Sequence, residues 1–280
     1  MSRSRVVSAE KSEGFLKFNP ANLILDIDKA AYTKQSANGV FIPIKHSVLS
    51  GTTSFKLQTP EVSGFLADCD ALEKPGKQYK ISLLLDSSNK DPAFLPEDIE
   101  LQQETVQILN QFQSACIEQL KEKKTEFEKK TKKINTDTWN YMMRNFEVVR
   151  PYTKTDNGRT VTSYYINPKI FNTNNFKTSF VYKNRTVTYE DTISQFLNKR
   201  FYCIALFSID SLFFQSNSNK LFAQSKLENL IITRFSSSAP EKVSMPSRLL
   251  LKIQQEESSS EESDSEETAT GAIDIDDIDT

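Results

Sequence analysis

PEDIELQQETVQILNQFQSACIEQLKEKK, residues 96–124, is the stretch on which the architecture turns. Pro96, Glu97 and Asp98 make a helix start, with proline in the first turn and acids at the positive end of the helix dipole. Ile99, Val106, Leu109, Phe112, Cys116 and Leu120 then follow at helical spacing and fall on one face. The spacing predicts one long helix from Glu97 to Lys124. Its charged continuation, Lys121 to Lys133, keeps Phe127 as its one large apolar residue and is expected to project into solvent.

Outward from this helix, both flanks read as strand. Leu23 to Ile27, Val40 to Ile44, Ser54 to Leu57 and Tyr79 to Leu85 are short apolar runs bounded by Gly, Pro, Asn or Asp. Ile81, Leu83, Leu84 and Leu85 lack a clean period of two, which predicts a strand buried on both sides. On the C-terminal flank the pattern is expected to return to strand from Trp139. Phe180 and Tyr182, then Val187 and Tyr189, alternate around Lys183 and Asn184 as a hairpin does. A short helix from Asp191 to Asn198 precedes two β-prone segments, Phe201 to Phe214 and Lys220 to Phe235. Strands, one long helix and strands again define a mainly β or α+β domain with the helix inserted between two halves of a barrel or sheet.

The charge is bipolar. The chain of 280 residues carries 35 basic and 37 acidic groups, a formal net charge of −2. Eleven of the acids and no Lys or Arg lie in Gln254 to Thr280, so the remainder holds 35 basic against 26 acidic groups, or +9. Such asymmetry points to nucleic acid or an anionic surface as partner. The expected organisation is a disordered polar arm at 1–13, one folded domain at 14–238, and a disordered linker and acidic tail at 239–280. The N-terminus has no apolar leader, and no run approaches the roughly 18 apolar residues of a membrane span, so no membrane partner is expected. Cys69, Cys116 and Cys203 are odd in number and widely spaced, as in a soluble protein of a reducing interior.

Few chemistries survive inspection. His46 is the single histidine, and neither an HExxH run nor a GxSxG elbow is present. Gly76 and Lys77 resemble the end of a phosphate-binding loop, but Ala71 and Gln78 stand where glycine and Ser/Thr belong. Asp26 with Asp28, and Asp68 with Asp70, are spaced as ordinary exposed carboxylates on strands and turns. No catalytic residue, metal or cofactor is expected.

The positive evidence lies between Trp139 and Tyr202, where fourteen aromatics in 64 residues interleave with ten Lys/Arg and only four acids. Single strands expose base faces as well as phosphates, so their binders need flat rings beside cations. The candidates are Arg144, Arg150, Tyr152, Lys154, Arg159, Tyr164, Lys177, Tyr182, Lys183, Arg185, Lys199 and Arg200. The competing reading is core packing, which applies most directly to Phe171, Phe180, Phe196 and Phe201. Tyrosine is the more informative ring, because its hydroxyl favours a wet edge.

The tail has its own pattern. Ser258, Ser259, Ser260, Ser263 and Ser265 sit among acids that suit an acid-directed kinase. Ile273, Asp274, Ile275, Asp276, Asp277, Ile278 and Asp279 close the chain as an amphipathic docking peptide, the alternative being a generic acidic tail.

Phe55-Lys-Leu-Gln-Thr-Pro60, Tyr79-Lys-Ile-Ser-Leu-Leu-Leu85 and a helix beginning near Glu97, followed by hairpin, short helix, two long strands and acidic tail, resemble the single-stranded-DNA-binding proteins of nucleocytoplasmic large DNA viruses. The resemblance implies an OB-fold-like barrel that binds single-stranded DNA in viral or plasmid replication, recombination or repair. The partners it implies are single-stranded DNA, with RNA as an alternative, and replication proteins at the tail, at a nuclear or cytoplasmic replication site; self-association stays open. A second class of reading is an interaction protein, a chaperone or a scaffold subunit of a replication or transcription assembly, in which the tail carries the function.

Overall fold

The computed structural model describes residues 18–33, 39–48, 51–68, 79–85, 94–131, 134–156, 159–173 and 176–235. The expected arm at 1–13 and the linker and tail at 239–280 lie outside the described residues.

Two 16-residue strands organise the fold: β12 (Arg200–Gln215) and β13 (Lys220–Phe235). They pair antiparallel along their whole length, with bulges that steepen the local twist. The other edge of β12 is shared by three earlier strands. Ser211 to Gln215 pair with β3 (Gly39–Val48), Leu206 to Ile209 with β5 (Phe55–Gln58), and Arg200 to Cys203 with β6 (Val62–Asp68). Three short strands, β1 (Leu23–Leu25), β2 (Ala31–Thr33) and β4 (Gly51–Thr53), flank β3.

The path continues from β6 through β7 (Tyr79–Leu84) to β9 (Arg159–Ile166), whose antiparallel partner is β8 (Arg150–Asp156). Leu83 faces Ile166 and Leu84 faces Tyr165, and the same register carries on to a bridge between Lys80 and Lys169. Lys169 bridges β13 on its other side: its N–H donates to the Ser225 carbonyl and its own carbonyl accepts from Leu227 N–H, both at 2.9 Å. Residues 167–169 thereby stitch β7 to β13. β13, β12, β6, β7 and the extension of β9 form a closed five-stranded ring, the OB-like barrel with an inserted helix that the sequence implies.

The inserted helix is α1 (Pro96–Glu122). Its buried face holds Val106, Leu109, Phe112, Cys116 and Leu120 as the spacing predicts, with Ile99 only half-buried, and is extended by Gln102, Thr105, Ile108 and Ala115. Phe112 lies 4.5 Å from Phe55, ring to ring, so helix and barrel share one core. Gln119 ties the helix to β1: its Nε2 donates to the Leu23 carbonyl at 2.6 Å and its Oε1 accepts from Leu25 N–H at 2.8 Å. A helix contact thus supplies the hydrogen bonds that a sheet neighbour otherwise would.

Three expectations are overturned. The continuation beyond α1 does not project into solvent. The chain breaks at Lys123 and restarts as α2 (Lys124–Thr131), in which Phe127 is wholly buried between Trp139 and Phe214, 5.8 Å from each. Phe127 and Thr131, four residues apart, form a narrow buried stripe, and a single large ring suffices to dock a two-turn helix while the lysines stay wet. Trp139 to Arg144 is helix, not strand: α3 (Thr136–Arg144) starts at Asn135, whose side-chain oxygen accepts from Thr138 N–H at 2.7 Å. Finally, β7 does alternate. Ile81, Leu83 and Leu85 are buried, whereas Lys80 is exposed and Leu84 half-buried.

The remaining elements match the expected order. Lys183 and Asn184, with φ of 50° and 61°, form the tight turn between β10 (Ser179–Tyr182) and β11 (Arg185–Val187), and β10 joins β13 in parallel. The short helix α4 (Tyr189–Phe196) begins two residues earlier than predicted, capped by the Thr188 hydroxyl, which accepts from Asp191 N–H.

Candidate nucleic-acid interface

The predicted site residues fall into two groups at opposite ends of the strand path. The first group stands on the β8–β9 ribbon. β7 pairs with only two residues of β9, at its root, so Pro151 to Asp156 and Arg159 to Ser163 extend beyond the ladder that anchors them. In the register Arg150 pairs with Tyr165, Tyr152 with Ser163, Lys154 with Val161 and Asp156 with Arg159, and Arg150 and Tyr152, two apart, share a face. Thr153 with Thr162 and Thr155 with Thr160 line the other, with hydroxyl oxygens 3.4 Å apart in each pair. Arg150 is exposed and Tyr152 is 53% exposed. For Lys154 and Arg159 the backbone is described, and it gives them ribbon positions. Tyr164, at the root, packs against the core.

The second group surrounds the β10–β11 turn. Tyr182 is half-buried, with its ring edge-on to Phe196 at 5.2 Å and to Phe235 at 5.9 Å. Phe196 and Phe235 stack at 5.0 Å with 13° between their planes. Lys183 Nζ lies 5.4 Å from the Tyr182 ring centroid, and Lys199 Nζ 5.9 Å from that of Phe235. Arg185 and Arg200 are exposed alongside. This is a ring cluster with cations over its rim, and the rings themselves are committed to packing.

Two candidates stand apart. Arg144 ends α3, exposed, where a cation complements the helix C-terminus. Lys177 is exposed beside Phe176, whose ring meets Phe171 edge-on at 5.6 Å. Among the described residues, none of Arg144, Arg150, Lys177, Lys183, Arg185, Lys199 and Arg200 holds an ion pair. The cations of the barrel wall do: Lys226 with Asp210, Lys56 with Glu228 at 3.3 Å, and Arg234 with Glu61 at 2.9 Å. The tail candidates, Ile273 to Asp279, lie outside the described residues.

The groups that a catalytic reading would need are poorly placed. His46 is half-buried and stacked on Phe18 at 5.7 Å, and among the described residues its buried Nε2 has no hydrogen-bond partner. Desolvation pushes its pKa below the ordinary histidine value, favouring the neutral ring. Burial pushes the Cys116 and Cys203 thiols far above their usual range, so neither supplies a thiolate at neutral pH. Among the described residues, no group of three or more His, Cys, Asp or Glu is placed to hold a metal, and no helix is long and apolar enough to cross a membrane.

Sequence reasoning missed the apolar row on the outer barrel wall. Phe41 is 37% exposed and lies 4.5 Å from Phe213 on the neighbouring strand. The signal for it is strand register, which composition does not carry.

No family model and no curated protein matches this chain. Among solved structures it is similar to the single-stranded DNA-binding protein from bacteriophage Enc34, in C-terminally truncated form, at 13% identity and a TM-score of 0.34, over 76% of this chain and 99% of that one. It is likewise similar to gp2.5, a single-stranded DNA binding protein encoded by bacteriophage T7, at 13% identity and a TM-score of 0.34, over 68% and 92% of the respective chains.

Proposed function

We propose that this chain is a non-enzymatic, sequence-tolerant single-stranded DNA-binding protein of viral or plasmid replication, recombination or repair, whose acidic tail regulates that binding and docks partner proteins. The observation that supports it best is Tyr152, a large ring held 53% exposed on a ribbon face between Arg150 and Lys154. Residues two apart on a strand share a face, so a ring sits between two cation positions along one edge. A single strand offers this repeat of base face and phosphate, and stacking on such a ring is worth roughly 1–3 kcal/mol per base. Lys183, Arg185, Lys199 and Arg200 form a second cationic zone, in which the rings brace the fold and the charges meet the backbone.

The tail, with eleven carboxylates against a body of +9, competes with DNA for those cations. Anisotropy of a labelled oligonucleotide tests the proposal directly. Affinity is expected to fall as salt rises, with a log–log slope near −0.7 per phosphate neutralised. Removal of Gln254 to Thr280 is expected to tighten binding at low salt, and an RNA oligomer of the same sequence measures the preference between the two nucleic acids. Absence of binding at low salt by both full-length and tail-less protein would overturn the proposal. Retention of histones by the isolated tail, alongside that absence, would instead support the interaction-protein reading.

A further inference from the structure

On the outer face of the barrel, three phenylalanines stand side by side in register across three strands. Phe41 of β3 pairs with Phe213 of β12, and Phe213 pairs with Phe222 of β13. Directly paired residues share a face, so the row points away from the core that Val40, Ile42, Leu212, Phe214 and Leu221 fill from the other side. Phe41 is 37% exposed, and Phe213 and Phe222 are half-buried.

The row is built to stay open. A Cβ on Gly39 would come 2.5 Å from the Phe213 ring and 2.3 Å from the Phe214 carbonyl oxygen, so the glycine makes room for the ring to lean on the sheet. The Phe41 ring lies against it with 31° between the planes. Both rings are thus seated closely on the sheet, with the Phe41 ring keeping an exposed side.

The surroundings of the row carry positive charge. Lys220, exposed, follows the same face of β13. Two carboxylates on the same strands and their flanks are matched: Asp210 by Lys226, and Asp26 by Lys45 at 2.8 Å and Lys29 at 3.6 Å. Lys226 Nζ also lies 6.0 Å from the centroids of both Phe171 and Phe176. An apolar strip with cations at its borders and neutralised acids suits an anionic polymer that exposes flat apolar faces.

We propose that the Phe41–Phe213–Phe222 row is a base-stacking platform for single-stranded nucleic acid, separate from the β8–β9 ribbon. The inference rests on the single-stranded-DNA reading above, and its test separates the two. The affinity of the full chain is measured for oligothymidylate and for an abasic oligomer of the same length, in the wild type, Phe41→Leu, Phe222→Ala and Tyr152→Ala. Phe41→Leu keeps apolar bulk and removes the ring, so it tests stacking with little threat to folding, which thermal melting checks.

The platform predicts roughly tenfold weaker oligothymidylate binding by Phe41→Leu and Phe222→Ala, with the abasic oligomer unaffected. If the wild type binds and both phenylalanine variants match it on both oligomers, the platform is wrong and the functional reading stands. If neither the wild type nor its form lacking Gln254 to Thr280 binds either oligomer at low salt, both fall. If the variants instead abolish self-association in sedimentation with unchanged oligonucleotide affinity, the row is a protein contact and the platform is overturned.

Discussion

Tyr152 and Tyr182 have near-identical settings in the sequence, each a tyrosine within three residues of two cations, and opposite settings in the molecule. Tyr152 stands on a two-stranded ribbon with half its surface in water, whereas Tyr182 is wedged against Phe196 and Phe235. The difference lies in what each strand pairs with. Among the described strands β8 pairs with β9 alone, and Tyr152 on it is 53% exposed. β10 is parallel to β13, and Phe180 and Tyr182 fall on the side of Leu230 and Ile232, which face the core. A ring beside a lysine is thus left in water or packed according to what its strand pairs with.

The largest effect that would sharpen this contrast is Phe196→Ala. This ring is wholly buried and touches Tyr182, Phe201 and Phe235. Its loss is expected to cost about 3–5 kcal/mol. With roughly 2–4 °C per kcal/mol for a domain of this size, calorimetry should show a fall in Tm of about 6–20 °C. Tyr182→Ala removes a half-buried ring and is expected to cost about 2 kcal/mol by chemical denaturation, with oligonucleotide affinity nearly intact. A larger loss of affinity than of stability there would erase the distinction between the two regions.

Tyr152→Ala is the mirror image. Its stability should stay within about 0.5 kcal/mol of wild type, since the ring is 53% exposed. Its affinity should fall by about 1–3 kcal/mol, read as at least a fivefold rise in Kd by anisotropy. The smallest effect belongs to Arg150→Ala. Loss of one phosphate contact should change the salt slope by about 0.7 without altering the melting temperature. An unchanged slope would show that the ribbon does not meet the backbone of the strand.

Much of the fold was legible because it rests on local patterns. The stripe from Val106 to Leu120 is a helix whatever it packs against, and Lys183-Asn184 between alternating segments permits little except a tight turn. The misreadings share one cause. Phe127, a single apolar residue among lysines, and Trp139, outside any clear period, carry too little local signal; each is explained by the other, as two rings 5.8 Å apart that dock α2 and α3. The return to strand expected after Trp139 is met by the ribbon only from Arg150, and its bounds were not marked in the sequence because Arg150 to Ser163 carries no apolar period.

For the site, the sequence by itself determined the chemistry on offer: a positively charged, ring-rich body, an acidic terminus, and a single histidine. It also determined element order, since capping, turn residues and periodicity act within a few residues of one another. Only the tertiary structure decided which rings remain in water. That choice depends on the bridge at Lys169, which closes the barrel, and on the register that lines up Phe41, Phe213 and Phe222 from three separate strands. Contacts such as Lys80–Lys169 and Phe41–Phe213, far apart in the chain, are set by the layer each strand faces, a property of the assembled barrel that no local window contains.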